Sequence, residues 1–451
     1  MNIHLNSTMY YLKHLIYFTL LFFIISSLLC YQVKAQPAPP KVISASSPNP
    51  VGSGARAVGM GGAFIAVADD ATAASWNPAG LTQLMKPEIS FALSYFRRRD
   101  DFSSDHHPET SGIQEKSSTN LNYLSLAYPF KFFERNMVFS LNYQHLFEFD
   151  RNIKTQVTSQ GIDQKINFRQ SGKLSALSPA YAIEVTPDFS LGFTFNIWTD
   201  NLFWSNGWES DTITNAKVYT GGILSSVNKV TDHDRYYGFS GFNMHIGFLW
   251  DINRYITIGG VVKTPFTGEL QHERVVKNKI RLPGFPLRTR KNRFDEDVDL
   301  EMPISYGLGL ALRFSDRLTV SMDVFRTEWD QFKMEDGMGK RTNPITGKPS
   351  HESSTKATHQ VRLGAEYLFI FTKTVVPLRW GIFYDPEPSE KNPEDFWGVT
   401  LGTGISIGDL IFDCAYQFRY GHDVGGDIFD LPSTSADVTQ HLLMASFIYH
   451  F

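Results

Sequence analysis

The sequence predicts an all-β protein, a 14-stranded antiparallel transmembrane β-barrel. Three observations predict this fold. Apolar and polar residues alternate along most of the chain after residue 87, long and short links follow each other between these segments, and the chain ends on an aromatic residue of the last segment. A length of 451 residues would otherwise suggest two or three soluble domains. A large barrel reaches this length as one unit.

Composition and charge exclude few functions. The chain has 42 Lys+Arg against 46 Asp+Glu, so no overall field points to nucleic acid or another highly charged partner. No Ser/His/Asp spacing stands out among its 13 His, and we expect no enzymatic activity and no cofactor. The pair His106-His107 lies in a predicted outer link, where solvated side chains are more usual than a metal site, so no metal is expected.

Residues 1–35 have the pattern of a secretory signal peptide. A basic residue precedes an apolar run at 15–29, and the small residue Ala35 marks the end of the segment. The run is shorter than the roughly 20 residues that a membrane-spanning helix needs. Cleavage would remove Cys30 and leave Cys414 alone, so neither a disulfide nor a cysteine metal cluster is expected.

The alternation has a period of two residues, as expected of a strand with one face toward lipid and one toward the lumen. In the third predicted strand, for example, Phe139, Leu141 and Tyr143 alternate with polar residues. Counting such segments gives about fourteen strands, an even number as a single-chain bacterial barrel requires. They cover residues 89–95, 123–128, 136–149, 174–185, 191–197, 242–250, 256–262, 304–314, 318–324, 361–369, 378–384, 397–407, 410–420 and 442–451.

The links between these segments support the count. Short and long links alternate strictly, as in outer-membrane barrels with short periplasmic turns and long outer loops. A soluble all-β fold or β-helix is the alternative, but it would expose aromatic residues to water in strand after strand. The long polar links, predicted as loops, are 97–119, 150–163, 199–236, 265–299, 327–357, 385–395 and 421–440.

The C-terminus predicts recognition by the barrel-assembly machinery. Phe447, Tyr449 and Phe451 lie on one face of the last predicted strand, and Phe451 ends the chain. A terminal aromatic residue alone is a weak signal. At the end of a strand that completes an even count it is a strong one, and these three residues are the expected assembly signal.

Residues 36–87 are rich in Pro, Gly and Ala and are too few to form a core of their own. The glycine run at 59–62 lacks the GK[ST] and the strand-loop-helix frame of a phosphate-binding loop. The adjacent Asp69 and Asp70 project apart, so hydrogen bonds within this segment are expected rather than acid-base chemistry.

The motif Asn77-Pro78-Ala79 resembles one in the FadL-type long-chain fatty acid and hydrocarbon transporters. Other strings follow in that family's order, among them Gly241-Phe242-Asn243, Val262-Lys263-Thr264-Pro265, Leu363-Gly364-Ala365-Glu366-Tyr367 and Tyr384-Asp385-Pro386. The resemblance covers almost all of the mature chain. It implies a hatch at 36–87 inside a barrel at 88–451, and passive outer-membrane transport of hydrophobic small molecules, either long-chain fatty acids or hydrocarbons.

The resemblance also implies that ligand first docks between the third and fourth outer loops, which are the longest here. Their apolar side chains are candidate ligand contacts: Phe203, Trp204, Trp208, Phe285 and Leu287. Packing of one loop on the other is an equal alternative. Basic residues beside the fourth loop's patch could steer an anionic head group or contact lipopolysaccharide phosphates: Arg281, Arg288, Arg290, Lys291 and Arg293.

Several charged residues are predicted to face the lumen: Glu148, Asp323, Arg362, Glu366, Arg379, Asp413 and Arg419. Ion pairs within the barrel or with the hatch are the expected use of most of them. One arginine could instead bind a ligand carboxylate through two hydrogen bonds, and Arg362 and Arg379 are the candidates.

We expect a monomer in contact with outer-membrane lipid and lipopolysaccharide, and no nucleic acid partner. The hatch elements also resemble those of barrels that hold exported proteins at the cell surface, so a surface interaction or secretion-associated protein is the alternative function. An apolar lumen pocket would favour transport. In the transporter family a kinked third strand releases ligand sideways, but the predicted strand 136–149 has no Gly or Pro to mark a kink.

Overall fold

The computed structural model describes residues 52–202, 204–425 and 434–451. The predicted signal peptide and Phe203, a candidate ligand contact, lie outside the described residues. Within these ranges, no helix is long and apolar enough to cross a membrane.

The described chain is dominated by antiparallel strands. In chain order they are β1 (Glu88–Ser104), β2 (Gly112–Phe132), β3 (Arg135–Glu148), β4 (Arg151–Ser159), β5 (Ile162–Thr186), β6 (Phe189–Trp198), β7 (Gly207–Thr220), β8 (Ile223–Asn253), β9 (Ile256–Lys263), β10 (Phe266–Arg281), β11 (Arg288–Met302), β12 (Ser305–Ser315), β13 (Leu318–Thr327), β14 (Lys333–Glu335), β15 (Arg341–Thr342), β16 (Thr358–Ile370), β17 (Thr374–Tyr384), β18 (Phe396–Ile407), β19 (Leu410–Val424) and β20 (Thr434–His450).

Fourteen of these strands form a closed barrel wall, which confirms the predicted fold class. The wall runs in the order β1, β2, β3, β5, β6, β8, β9, β12, β13, β16, β17, β18, β19 and β20. It closes where β20 pairs with β1 from His450 opposite Glu88 to Thr434 opposite Ser104. Closure leaves no unpaired strand edge in the wall, as a lipid environment requires.

The remaining strands belong to an extension of the wall on the side of the long links. β7 fills the space between the outer parts of β5 and β8, and β10 pairs with both β8 and β11. The polar links predict loops, but the structure forms strands there. Outside the membrane both faces of a strand can meet water, so polar residues occupy both faces and the alternation is lost although the backbone still pairs.

Burial in the wall follows the period of two. Along β1 every second residue from Glu88 to Ser94 is buried, while Phe91 and Leu93 between them are exposed. The large exposed apolar side chains of the other wall strands repeat this arrangement. These outward residues form the lipid-facing band, and the buried set faces the lumen.

Residues 52–87 lie inside the barrel, and we call them the inner segment. They contain two short helices, α1 (Ala55–Gly59) and α2 (Ala73–Trp76), and a 3-10 helix at Pro78–Gln83. Most of these residues are buried, and they contact strands around the lumen, including β3, β5, β6, β8, β17, β18, β19 and β20. The small and glycine-rich composition of the inner segment suits this close passage along the wall.

Candidate functional site

Asn77 ties the inner segment to itself and to the wall. Its side-chain Nδ2 donates to the backbone carbonyl oxygens of Ile65, at 2.9 Å, and Phe248, at 2.8 Å. Its Oδ1 accepts from the backbone N–H of Ala79 at 3.2 Å, and Pro78 opens the 3-10 helix that follows. The fixed φ of proline suits this first helical position. The Asn-Pro-Ala motif therefore acts as a three-way hydrogen-bonded anchor.

Glycines of the wall make room for this anchor. A Cβ atom added at Gly247 would lie 2.0 Å from Asn77 Oδ1, and one at Gly192 would lie 2.2 Å from the carbonyl carbon of Pro78. Both distances are far below van der Waals contact, so no larger residue permits the same approach. The wall glycines Gly259, Gly364 and Gly381 meet the backbone of the inner segment in the same way.

The glycine run at 59–62 is bonded to the wall through its backbone. Thr400 Oγ1 accepts from the N–H of Gly61 and donates to the carbonyl oxygen of Gly59, both at 2.9 Å. Arg362 Nη1 donates to the carbonyl oxygen of Gly61 at 3.0 Å. These contacts use the backbone groups of the run for docking to β16 and β18.

Asp323 on β13 holds the next part of the inner segment. Its Oδ2 accepts from the backbone N–H groups of Phe64 and Ile65 at 2.6 and 2.8 Å, and its side chain is fully buried. Hydrogen bonds to a charged acceptor are stronger than those between neutral groups. Asp323, which the sequence predicts to face the lumen, therefore serves as a docking residue.

A network of ion pairs joins the inner segment to the wall on another side. Glu366 accepts from Arg56 of α1 at 2.9 and 3.0 Å and from Arg379 at 2.6 Å. Arg379 also donates to Asp413 at 2.6 Å, and Arg56 pairs with Asp69. Each buried charge thus has an opposite partner, which burial in the lumen requires.

Asp70 is the ionisable group of the inner segment with the strongest shift toward its neutral form. Burial raises the pKa of its carboxyl from 3.8 to about 7, with a smaller contribution from Glu88 in the same direction and with Arg56 and a hydrogen bond from Thr72 acting against the shift. The N–H of Thr72 donates to Asp70 Oδ1 at 2.8 Å. The turn before α2 is therefore held by a carboxyl group whose charge changes near neutral pH.

A cavity of about 80 Å³ with a partly apolar lining opens in the lumen on the side of the long links. Phe325, one of its lining residues, packs on Ile65 of the inner segment, which places the cavity next to that segment. Its apolar lining comes from strands on one half of the wall and from the link after β13: Leu146, Phe147, Trp198, Phe266, Met302, Pro303, Phe325 and Trp329. Seven polar residues share the lining, among them Asn243, His245 and Lys263, so an apolar wall and groups that can orient a ligand meet in one site.

Two polar members of the cavity lining, His245 and Asn243, are held by side-chain hydrogen bonds. His245 Nε2 contacts Asn196 Nδ2 at 2.9 Å, and the Asn196 Oδ1 accepts from Ser178. Asn196 Nδ2 therefore donates to His245 Nε2, which assigns the ring proton to Nδ1. Asn243 accepts from the Trp198 indole at 2.9 Å. These bonds fix the rotamers of the lining before any ligand enters.

A second cavity, of about 190 Å³, lies at the end of the barrel with the short turns. Its lining combines the ion-pair network of Arg56, Glu366, Arg379 and Asp413 with apolar residues near the turns, among them Leu368, Val375, Pro377, Ile405 and Ile448. The inner segment thus has an apolar cavity on its outer side and a partly charged one on its periplasmic side.

The structure distributes the predicted ligand contacts over several places. Trp208 is buried and stacks between Phe149 and Tyr236, with ring centroids 5.0 and 4.7 Å apart, and Trp204 packs on Tyr143. Phe285 and Leu287 are exposed in the turn between β10 and β11. Tyr236, the stacking partner of Trp208, lies opposite His272 of β10. The turn begins only after Arg281, nine positions further along this strand. The two sets of apolar side chains are therefore not brought together.

Arg362 of β16 and Arg379 of β17 are wall residues that lie next to the inner segment. Each forms ion pairs with carboxylates of the wall or its links rather than standing free. Besides Gly61, Arg362 contacts Asp385 at 3.4 Å and the ring of Phe383 at 5.0 Å. The prediction that the charged lumen residues are buried is confirmed for all seven of them: Glu148, Asp323, Arg362, Glu366, Arg379, Asp413 and Arg419.

Sequence reasoning missed most of the cavity lining. Trp198 and Phe325 were recognisable as lumen-facing from the alternation, and Asn243 and Lys263 lie in strings that resemble the transporter family. Met302, Phe266 and Trp329 lie in or beside the links, where no periodic signal marks them.

The third wall strand is irregular without Gly or Pro. The pairing of β3 with β5 shifts between His145 and Phe147, so Leu146 forms a bulge. Leu146 and Phe147 both line the apolar cavity. A bulge bends a strand and redirects its side chains, and here it places two of them at this cavity.

The predicted assembly signal lies on the lipid-facing side of β20. Tyr449 and Phe451 are exposed, and Phe447 packs on Phe91 of β1 with ring centroids 5.5 Å apart. The N–H of Phe451 donates to the carbonyl oxygen of Pro87 at 3.0 Å. The last aromatic residues thus lie beside the strand pair that closes the barrel.

A closed 14-stranded wall with an N-terminal segment docked in its lumen defines an outer-membrane β-barrel channel. The family model described as "Outer membrane protein transport protein (OMPP1/FadL/TodX)" matches residues 48–396, and the chain belongs to this family. No curated protein matches the chain by sequence.

Solved structures share the fold at low sequence identity. A FadL homologue of Pseudomonas aeruginosa is 15% identical, with a TM-score of 0.59, and the match covers 92% of this chain and 100% of that one. The toluene transporter TodX of Pseudomonas putida is 13% identical, with a TM-score of 0.57 and coverage of 91% and 100%. The toluene transporter TbuX of Ralstonia pickettii is 15% identical, with a TM-score of 0.53 and coverage of 89% and 99%.

Proposed function

We propose that the protein passes hydrophobic small molecules, long-chain fatty acids or hydrocarbons, across the outer membrane without an energy source. The observation that carries this proposal is the apolar cavity that ends on the inner segment, with Phe325 at the boundary. An apolar molecule gains free energy by leaving water for such a lining, at about 25 cal/mol per Å² of surface buried. The cavity favours transport over the alternative of a surface interaction protein.

Entry and release follow from the two cavities. We propose that ligand is captured at the exposed apolar turn residues and in the apolar cavity, and that a small movement of the inner segment opens the way to the periplasmic cavity. Arg362 donates to Gly61 of the inner segment, and Arg379 donates to Glu366, which also binds Arg56 of that segment. We therefore propose that both arginines hold the inner segment in place rather than bind ligand. We further propose a hatch at 36–87, a barrel at 88–451, and assembly as a monomer through Phe447, Tyr449 and Phe451.

Uptake by cells tests the proposal. Cells with and without the gene are compared for accumulation of a labelled alkane and a labelled long-chain fatty acid, and we expect the gene to increase uptake of at least one. A filled cavity sharpens the test. The variant Ser305→Trp places a large side chain at the cavity lining, whereas Tyr306→Trp changes the exposed neighbour on the lipid side.

We expect Ser305→Trp to reduce uptake several-fold and Tyr306→Trp to leave it unchanged, with equal amounts of folded barrel in the outer membrane. Unchanged uptake of both compounds on deletion of the gene contradicts the transport proposal. Equal uptake by both tryptophan variants contradicts the assignment of this cavity.

A further inference from the structure

The outermost rows of the wall extension form a basic outward face, and the next row toward the membrane carries Glu209, Glu273 and Asp295, of which the last two pair with Arg293. The registers of β4, β5, β7, β8, β10 and β11 bring ten Lys and Arg side chains into four adjoining rows, against Asp163 and Asp211 as the acidic members of those rows. We define the basic face as Lys154, Lys165, Arg169, Lys217, Lys229, Lys277, Lys279, Arg281, Lys291 and Arg293.

The burial pattern of β10 shows which way this face points. Glu269 and Gln271 are exposed, whereas the residues that alternate with them, Leu270 and His272, are buried in the interior of the extension. The pairing of β10 with β11 has no register shift, so Lys277 keeps the outward direction of the other odd-numbered positions. The basic face therefore points away from the lumen, on the same side as the lipid-facing band below it.

Like charges lie directly opposite each other on this face. Lys277 pairs with Lys291 across β10 and β11, and Lys279 pairs with Lys229 across β10 and β8. Opposed like charges destabilise a sheet. Within the described ranges, none of the seven lysines of the basic face forms an ion pair with a carboxylate, although lysines elsewhere do. The sheet thus keeps a repulsion that an anionic partner would remove.

The height of the face above the membrane selects the partner. Lys277 lies ten positions beyond Thr267, which is in the first rows of β10 above the wall. At about 3.3 Å per residue, this is roughly 30 Å along the strand, or about 25 Å of height at a strand tilt of roughly 40°. Anionic groups at the lipid surface itself lie below this level, whereas the saccharide that an outer-leaflet glycolipid carries reaches it.

We propose that the basic face binds the anionic saccharide of lipopolysaccharide, through its phosphate and carboxylate groups. The match rests on charge, on the outward direction and on the height of the face, and it is independent of what passes through the lumen. The ammonium groups neighbour one another both along the strands and across them. This two-dimensional arrangement suits a branched polyanion better than a single ion.

The hairpin of β10 and β11 offers a matched pair of variants for the test. Lys277→Gln/Lys291→Gln removes two charges from the basic face, and Arg288→Gln/Arg290→Gln removes two exposed charges from the same hairpin. Arg290 and Arg288 lie opposite Asn278 and Ile280, on the other face. A quadruple variant adds Lys229→Gln and Lys279→Gln to the first pair. The full-length barrel in detergent is titrated with complete-core lipopolysaccharide, with the same material after dephosphorylation, and with lipid A alone.

We expect the quadruple variant to bind complete-core lipopolysaccharide at least about tenfold more weakly than the unaltered chain. The Lys277/Lys291 variant should lose part of this affinity, and the Arg288/Arg290 variant should lose less than about twofold. Dephosphorylated lipopolysaccharide and lipid A should bind the unaltered chain weakly. Uptake of hydrophobic compounds should persist in the quadruple variant, which separates this proposal from the transport proposal.

Equal affinity of the unaltered chain and the quadruple variant for complete-core lipopolysaccharide overturns the proposal. Equal loss in the two double variants overturns the assignment to one face. A single-stranded DNA oligonucleotide and an acidic peptide serve as competing polyanions. If either binds more tightly than the saccharide, the basic face belongs to a different class of partner and the proposal is wrong.

Discussion

The side chain of Asn77 and the backbone of Phe248 are joined by a 2.8 Å hydrogen bond from Nδ2 to the carbonyl oxygen, although 171 positions separate them in the chain. Gly247, the residue before Phe248, faces the same amide group so closely that an added Cβ would lie 2.0 Å from its oxygen. The bond and the glycine together fix how deeply the inner segment sits against β8.

The substitution Gly247→Ala should displace the Asn-Pro-Ala turn, because backbone and side chain cannot share the space of the new methyl group. We expect a higher ion conductance of the barrel in planar bilayers, since a displaced segment leaves the lumen less filled. Gly337→Ala is the control, because its nearest contact would lie at an ordinary 3.5 Å. Heat-modifiable migration on gels verifies folding, and a conductance equal to that of the control contradicts the prediction.

The substitution Asn77→Asp keeps the shape of the side chain but replaces the donor with a second acceptor. The carbonyl oxygens of Ile65 and Phe248 then lose their bonds and face a negative charge. Each buried group left unsatisfied costs about 1–3 kcal/mol. We expect the inner segment to become sensitive to protease in the folded barrel, as measured by mass spectrometry of the cleaved fragments. Full protection would show that this anchor is dispensable.

The substitution Glu366→Gln should weaken docking because Glu366 neutralises both Arg56 and Arg379. Breaking a buried ion pair by removing one partner typically costs about 3–5 kcal/mol. We expect higher conductance than in the unaltered barrel. Adding Arg56→Met should restore part of the closure, because it removes a buried arginine that has lost Glu366 and keeps only Asp69 as a partner. The conductance of Arg56→Met alone is measured as well. If the increase in conductance of the double variant equals the sum of the increases in Glu366→Gln and Arg56→Met, the two residues act independently and the prediction is wrong.

The docking of the inner segment should weaken as pH rises, because burial raises the pKa of Asp70 from 3.8 to about 7. The docked state then holds a proton that the open state releases, so the stabilisation is complete below pH 3.8 and is lost progressively up to about pH 7. The charged and titratable neighbours of Asp70 are Arg56, Asp69, Glu88 and Tyr123.

Conductance at pH 4.5 and pH 7.5 measures this effect, and we expect the higher value at pH 7.5. Asp70→Asn keeps the oxygen that accepts from Thr72 and removes the titration, so this variant should lose most of the pH dependence. The same pH profile in the variant and the unaltered barrel would assign the titration to another group.

The sequence alone predicted the barrel, its lumen-facing charges and the position of the N-terminal segment's motif. Alternation is a local signal, and it is enforced wherever one face meets lipid and the other the lumen. The same reasoning failed for the long links, because the outer parts of strands such as β7 and β11 meet water on both faces and carry no apolar stripe. It also missed Met302 and Trp329, which are buried but lie in or beside these mainly polar segments, where no periodic signal marks them.

What the sequence determined by itself was the period of each wall strand and its even count, because both follow from neighbours one or two positions apart. What only the tertiary structure decided was which distant positions meet. Gly247 faces Asn77 and Lys277 lies opposite Lys291 because strand register sets those contacts, and register depends on pairing between segments rather than on the composition of either one.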